Sequence, residues 1–179
     1  MRRRIVMSRI AQPSFEPRIA ISAPGNHFIA HGSLHVERSL DRDFRKAEAY
    51  LRADGIMSRT FDDLENAAQP TYVVGNHRND DHFDFASHAV TWDPHSALVT
   101  FNGGSQSPAL GLGHELSHAD ENAVVRARLA ATFDPAYDTK KERRVIRGAE
   151  AHAARTLHEG VRHDHGGSIA YVAGPTDLA

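Results

Sequence analysis

The sequence predicts an α+β fold on three observations. Segments with apolar residues at helical spacing flank residues 71–101, a stretch of β-formers cut by Gly, Asn, Asp and Pro. The 179 residues, 40% of them hydrophobic, suffice for one sizeable core. Ser107-Pro108 opens a helix that carries His-Glu-x-x-His as His114, Glu115 and His118. The expected architecture is a small twisted sheet packed on that helix, with a second helix bearing a further acidic group.

Residues 1–25 contain Pro13, Pro17, Pro24 and Gly25 without a sustained period, so they read as a flexible leader and 26–179 as a single domain. The basic start, Arg2-Arg3-Arg4, is followed by no apolar segment, so no cleaved Sec or Tat signal is expected. Export would need a route without one, for which the leader is a possible signal. His27, His31 and His35 recur every four residues, but Gly32 and Ser33 interrupt them and no carboxylate joins them. In a chain with 13 histidines the spacing reads as chance. Ser39 is expected to cap a helix to about residue 53, with Asp41 and Asp43 in its first turn and Phe44, Ala47, Tyr50 and Leu51 on one face. Asp54-Gly55 ends it, and a shorter helix over 60–67 stops before Pro70.

Strands are expected over 71–74, 82–85, 88–92 and 97–101, forming an antiparallel or mixed sheet. Asp80, Asp81, His82 and Asp84 read as a solvated loop rather than a second metal site. In the helix that follows, Ala109, Leu112, Leu116, Ala119 and Ala123 mark an apolar face. Gly111 and Gly113 each cost it up to about 1 kcal/mol relative to Ala, which implies close approach by another backbone. The helix ends near Asp120 or runs on to Ala130. Residues 134–139 read as a loop. Residues 140–157 read as helix broken at Gly148, with Gly160 as the residue past its end, and 168–172 as a last strand.

Histidines four apart on a helix lie one above the other, so His114 and His118 can reach one Zn²⁺. Glu115, about 100° around the axis, is placed as the base for a zinc-bound water. The chain has no Cys, so the remaining ligand must be His or carboxylate. A catalytic zinc usually has three protein ligands and an open position. Asp120 and Glu121 lie too near along the same helix. Glu142 and Glu150, eight apart on the next one, can act as ligand and support, though among Lys140, Lys141, Arg143, Arg144 and Arg147 they also fit a charged face. Arg162, His163, His165 and Tyr171 are oxyanion donors by type, with a core position open to Tyr171. A substrate could lie along the 98–101 strand. A net charge of −2 argues against nucleic-acid binding, and no segment approaches membrane-span length.

Pro108-Ala109-Leu110-Gly111-Leu112-Gly113-His114-Glu115-Leu116-Ser117-His118-Ala119 resembles the NleD/HopH/XopG-type zinc metalloproteases, type III secreted effectors of plant and animal pathogenic bacteria. The similarity takes in Trp92-Asp93-Pro94, Glu142-Arg143-Arg144-Val145-Ile146-Arg147-Gly148, residues 150–155 and Gly160-Val161-Arg162-His163-Asp164-His165, in that order. A more distant likeness is to clostridial neurotoxin light chains, which follow His-Glu-Leu-x-His with Glu-x-Arg-x-aromatic-Gly, its Glu on zinc. Glu142, Arg144, Ile146 and Gly148 are similar, with one extra residue before the Gly. That favours Glu142 as third ligand, with Glu150 the alternative. The toxins' Arg-x-x-Tyr pair is matched by Arg162 and His165, with His in place of Tyr. Ser117 replaces a more usual Ile at a position that points away from the metal.

The resemblance implies a zincin-like fold of gluzincin type, one catalytic Zn²⁺ on His114, His118 and Glu142, and Glu115, Arg162 and His165 as catalytic groups. It further implies a monomeric endopeptidase that cleaves a host protein, with mitogen-activated protein kinases as one substrate class, in the host cytoplasm. Two alternatives stand beside it. One is a deuterolysin-like peptidase with Asp177 as third ligand, although such enzymes are usually disulfide-bonded. The other is a zinc-binding interaction module without catalysis.

Overall fold

The computed structural model describes residues 27–76 and 81–179; the expected leader and Asp80 lie outside them. In chain order the elements are β1 (Phe28–His31), β2 (Leu34–Glu37), α1 (Asp41–Leu51), α2 (Gly55–Glu65), β3 (Thr71–Gly75), β4 (His82–Asp84), β5 (Ala89–Trp92), β6 (Ser96–Thr100) and β7 (Ser105–Gln106). There follow α3 (Pro108–Asp120), α4 (Ala123–Ala130), β8 (Phe133–Asp134), β9 (Asp138–Thr139), α5 (Lys140–Val145), a π-helical turn (Ile146–Glu150), α6 (Ala151–Thr156) and β10 (Gly167–Tyr171). The fold is α+β.

One sheet has the strand order β1-β2-β3-β5-β4, with β2, β3 and β5 parallel and the edge strands β1 and β4 antiparallel to their neighbours. The β1–β2 hairpin covers the histidine repeat, so His31 and His35 lie on strands and form no helical stripe. Its turn needs Gly32: φ is 59°, and a Cβ there would stand 2.3 Å from the Glu65 carbonyl oxygen. In β2, Leu34 and Val36 alternate inward with His35 and Glu37.

The parallel step from β2 to β3 is made by α1 and α2. Ser39 does not cap α1: the N-cap is Leu40, and Ser39 Oγ donates to Glu37 Oε1 at 2.7 Å instead. The second helix starts at Gly55, earlier than expected, because the Asp54 carboxylate accepts from the Ile56 and Met57 amides. Asp54 therefore starts α2 as well as ending α1. Its other oxygen takes His152 Nδ1 (2.5 Å) and Thr156 Oγ1 (2.8 Å), which ties α2 to α6.

A second, antiparallel sheet runs β10-β6-β7. Here the structure corrects an expectation: β6 is paired on both sides, so it offers a substrate no free edge. Gly160 is also not the residue past the helix end. His158 takes that left-handed position (φ 61°), and Gly160 instead allows backbones to meet, since a Cβ on it would stand 2.7 Å from Gly104 Cα.

α3 runs between the first sheet and the α1–α2 pair and is buried nearly all round, as a central helix should be. Leu110, Leu112 and Leu116 meet Phe44, Leu51, Met57, Val90 and Trp92 in one core, all inaccessible to solvent. Burying each such side chain is worth about 1.5–3 kcal/mol. α3 ends at Asp120, and Asn122 restarts the chain as α4 by accepting from the Val124 and Val125 amides. No helix among the described residues is long and apolar enough to cross a membrane.

Candidate metal centre

Both ends of α3 are fastened. Ser107 Oγ accepts from the Leu110 amide at 3.2 Å, the expected cap. The buried Glu159 carboxylate accepts from Ser107 N and Oγ, both at 2.7 Å, and from the Tyr50 hydroxyl at 2.8 Å. Burial and that carboxylate together push the Tyr50 hydroxyl well above its ordinary range. Trp92 Nε1 donates to the Pro108 carbonyl at 2.8 Å. At the C-terminal end, Arg126 Nη1 donates to the His118 carbonyl at 2.7 Å, and its guanidinium carbon lies 3.5 Å from the Phe85 ring centre. A cation there suits the negative end of the helix dipole and stacks on an aromatic face.

On this fixed helix the two imidazoles converge. His114 Nε2 and His118 Nε2 are 3.1 Å apart. Glu142 Oε2, carried by α5, stands 3.0 Å from each. Three such corners leave room for an ion at about 2.0–2.1 Å from every one, the distance zinc takes to imidazole and carboxylate. His114, Glu115 and His118 are all buried and can together hold a metal ion. Within this group Glu115 is the outer member: its Oε1 lies 3.8 Å from His114 Nε2, whereas Glu142 Oε2 is closer to that nitrogen and equally close to the second. The donor set of two imidazoles and one carboxylate fits zinc.

Glu150 does not take the alternative ligand position. The π-helical turn, with Gly148 at φ −100°, ψ −106°, carries its carboxylate to the other side of the His114 ring, where Oε2 is 2.7 Å from Nδ1. His114 is thus held through both ring nitrogens. Arg162 forks onto Glu150, with Nε to Oε1 and Nη2 to Oε2 at 2.7 Å each, and Gln106 Nε2 donates to Oε1 at 2.9 Å. This is the outer support that fixes a ligating histidine's tautomer and ring plane. His118 Nδ1, by contrast, is buried with no hydrogen-bond partner among the described residues.

The electrostatics follow. Burial opposes charge on His114, but the surrounding Glu115, Glu142 and Glu150 carboxylates lift it to about 9. Burial brings His118 down to about 4. Burial opposes ionisation of Glu142 and Glu150 as well. Hydrogen bonds from both histidines hold Glu142 far below the usual carboxylate range, and His114 with Arg162 holds Glu150 at about 2. Burial raises Glu115 as well.

His165 is exposed beside the triangle, its Nε2 3.7 Å from Glu142 Oε2 and its Nδ1 2.6 Å from Asp138 Oδ2. A cavity of about 230 Å³ opens here, lined by His114, Glu115, Arg162, His165, Leu98, Leu110 and Asp81 among others. Tyr171 is 70% exposed on β10, so it is neither core nor cavity wall, and His163 is exposed as well. Asp177 is exposed in a terminal turn beside Gly174 and touches neither histidine of the pair, so the Asp-ligated alternative is not what the fold builds. Ser117 Oγ donates to the Gly113 carbonyl at 2.7 Å, along the helix and away from the triangle.

Sequence reasoning missed Gln106, Arg126 and Asp138 as members of this assembly, and read Asp81 only as loop. None carries a spacing signal: Gln106 and Asp138 meet partners 44 and 27 residues away, and Arg126 reaches His118 from the next helix. Thr139-x-x-Glu142 is a capping-box pattern that marks where α5 starts, and Thr139 Oγ1 does accept from the Glu142 amide at 3.2 Å. No protein-family model, curated protein or solved structure matches this chain.

Proposed function

We propose that the chain is a zinc-dependent endopeptidase of gluzincin type with a zincin-like fold. The observation that carries this reading is the triangle of His114 Nε2, His118 Nε2 and Glu142 Oε2, with the Glu115 carboxylate beside it and a cavity opening onto it. One zinc ion held by those three residues would supply a Lewis acid that polarises a peptide carbonyl and lowers the pKa of water towards about 7. Glu115 accepts the proton of the attacking water and returns it to the leaving amine. Burial raises its pKa and so readies it for that exchange. The oxyanion donor in this scheme is His165 rather than Arg162. Two of the Arg162 nitrogens are committed to Glu150, and one of them, Nη2, also stands 3.1 Å from His114 Nδ1, so Arg162 acts by holding Glu150 and His114 in place.

The resemblance to the NleD/HopH/XopG-type enzymes supports a protein of a host cell as the substrate. A mitogen-activated protein kinase is a candidate, and the working form is a monomer. The test is metal analysis combined with mapping of new protein N-termini in host extract. Wild type is expected to hold one zinc per chain and to generate new termini. Glu115→Gln should hold the same zinc and lose at least about 10²-fold in rate. Equal cleavage by both proteins, or a wild type that binds no zinc, overturns the reading.

A further inference from the structure

The cavity beside the metal centre has a carboxylate that the mechanism above does not use. Asp81 lines it, just ahead of β4. Its Oδ1 accepts from the Asp93 amide at 2.9 Å and stands 3.4 Å from the Asn76 side-chain nitrogen. Both donors are neutral. The other ionisable groups around the cavity have partners of their own: Glu150 has Arg162, His114 has Glu142 and Glu150, His165 has Asp138, and Glu115 has His114 at 3.8 Å. Asp81 has no cationic partner among the described residues.

Its second oxygen faces a helix turn kept bare by glycine. A Cβ on Gly111 would stand 3.6 Å from Asp81 Oδ2 and meet nothing else within 4 Å. Gly111 is one turn before Glu115, so Asp81 sits above the catalytic carboxylate on the same helix face. Of the apolar residues that line the cavity, Leu98 and Ile169 are open to solvent, whereas Leu110 is closed into the core. Burial, with the Glu115 and Asp93 carboxylates nearby, lifts the Asp81 carboxyl to about 8, so its charge is costly until a cation arrives.

We propose that Asp81 is a specificity-determining residue: the substrate residue adjoining the scissile bond is lysine or arginine, its methylene stem on Leu98 and Ile169 and its cationic head at Asp81. A long apolar stem with a charged end matches that sequence of surfaces. The proposal rests on the metalloendopeptidase reading.

The test uses the full-length, zinc-loaded protein and two small probes, arginine hydroxamate and citrulline hydroxamate. Both carry the same metal-binding group, and citrulline is arginine's neutral near-isostere. By titration calorimetry, wild type should bind the arginine probe roughly 10–100-fold more tightly, the range a hydrogen bond to a charged group commands. Asp81→Asn keeps an oxygen for the Asp93 amide. It should bring the two probes within about threefold of each other, chiefly by weakening the arginine probe. Equal binding of the two probes to wild type overturns the proposal with no variant needed, and so does an arginine advantage that survives in Asp81→Asn. If neither probe binds zinc-loaded wild type, the metal has no position open to a substrate, and the endopeptidase reading and the proposal fall together.

Discussion

His114 is gripped through both ring nitrogens, and the two carboxylates that hold it differ in kind. Glu142 meets the nitrogens of both histidines at one oxygen, whereas Glu150 meets only His114 and is itself clamped by Arg162 and Gln106. Substitution should separate ligand from support. Glu150→Gln is expected to weaken zinc about 10–100-fold, the usual cost of losing an outer partner. It also leaves Arg162 buried without its carboxylate, a loss of about 3–5 kcal/mol in fold stability. Glu142→Gln should weaken zinc further still; competition with a chromophoric chelator ranks the two, and the reverse order would exchange their roles. At this scale the sequence showed the residues that follow a local rule. His114, Glu115 and His118 are legible from helical period alone. Asp138 behind His165 and Gln106 behind Glu150 are not, because each acts across the fold, and Arg126 reaches His118 over the break between two helices, where no period carries through.

α3 is also where a local rule and its environment pull apart. Gly111 and Gly113 are both unfavourable in a helix, and the sequence suggests a neighbouring backbone for both. The structure shows side chains instead. A Cβ on Gly113 would stand 3.0 Å from Met57 Sδ and 3.3 Å from Leu51 Cδ2, both in the closed core, whereas one on Gly111 meets only Asp81 Oδ2 at 3.6 Å. Opposite signs are therefore expected two residues apart. Gly111→Ala should stabilise by about 0.5–1 kcal/mol through helix propensity. Gly113→Ala should destabilise by about 1 kcal/mol or more, because overpacking exceeds that gain. Chemical denaturation of the two variants decides it, and a stabilised Gly113→Ala would mean that Met57 yields at no cost. The start of α3 was legible because Ser107-Pro108 is a local signal. Its end was not, since α4 follows after a two-residue break and turns its apolar Val124 outward, 78% exposed, while burying Arg126. The β1–β2 hairpin was hidden in the same way, by histidines whose spacing imitates a helix.

In the whole molecule the centre joins distant parts of the chain, since α3 supplies two corners of the triangle and α5 the third. The sheets depend on pairings just as remote, such as β10 on β6, where Gly167 faces Thr100, and sequence pattern could place those strands without saying that they meet. A centre of this kind makes stability depend on metal and on pH together. In the metal-free protein His114 is lifted to about 9 from its ordinary 6.5, so its bridge between Glu142 and Glu150 contributes fully below 6.5 and is lost as pH rises through about 9. His118, held down at about 4, contributes above 6.5 and is lost only as pH falls through about 4, so it is constant across that window. Asp81 costs the fold progressively up to about 8, but equally with and without metal, and cancels in the difference. Zinc requires neutral His114 and replaces its proton, so the metal-loaded protein keeps the bridge that the metal-free protein loses. The gap in melting temperature between zinc-loaded and chelator-treated protein should therefore widen from pH 6.5 to pH 9. Metal at a hundredfold excess over its dissociation constant adds about 2.7 kcal/mol. Thermal unfolding of both forms at pH 6.5, 7.5 and 9 measures that gap, and one that narrows would show that His114 does not carry the proton that zinc displaces.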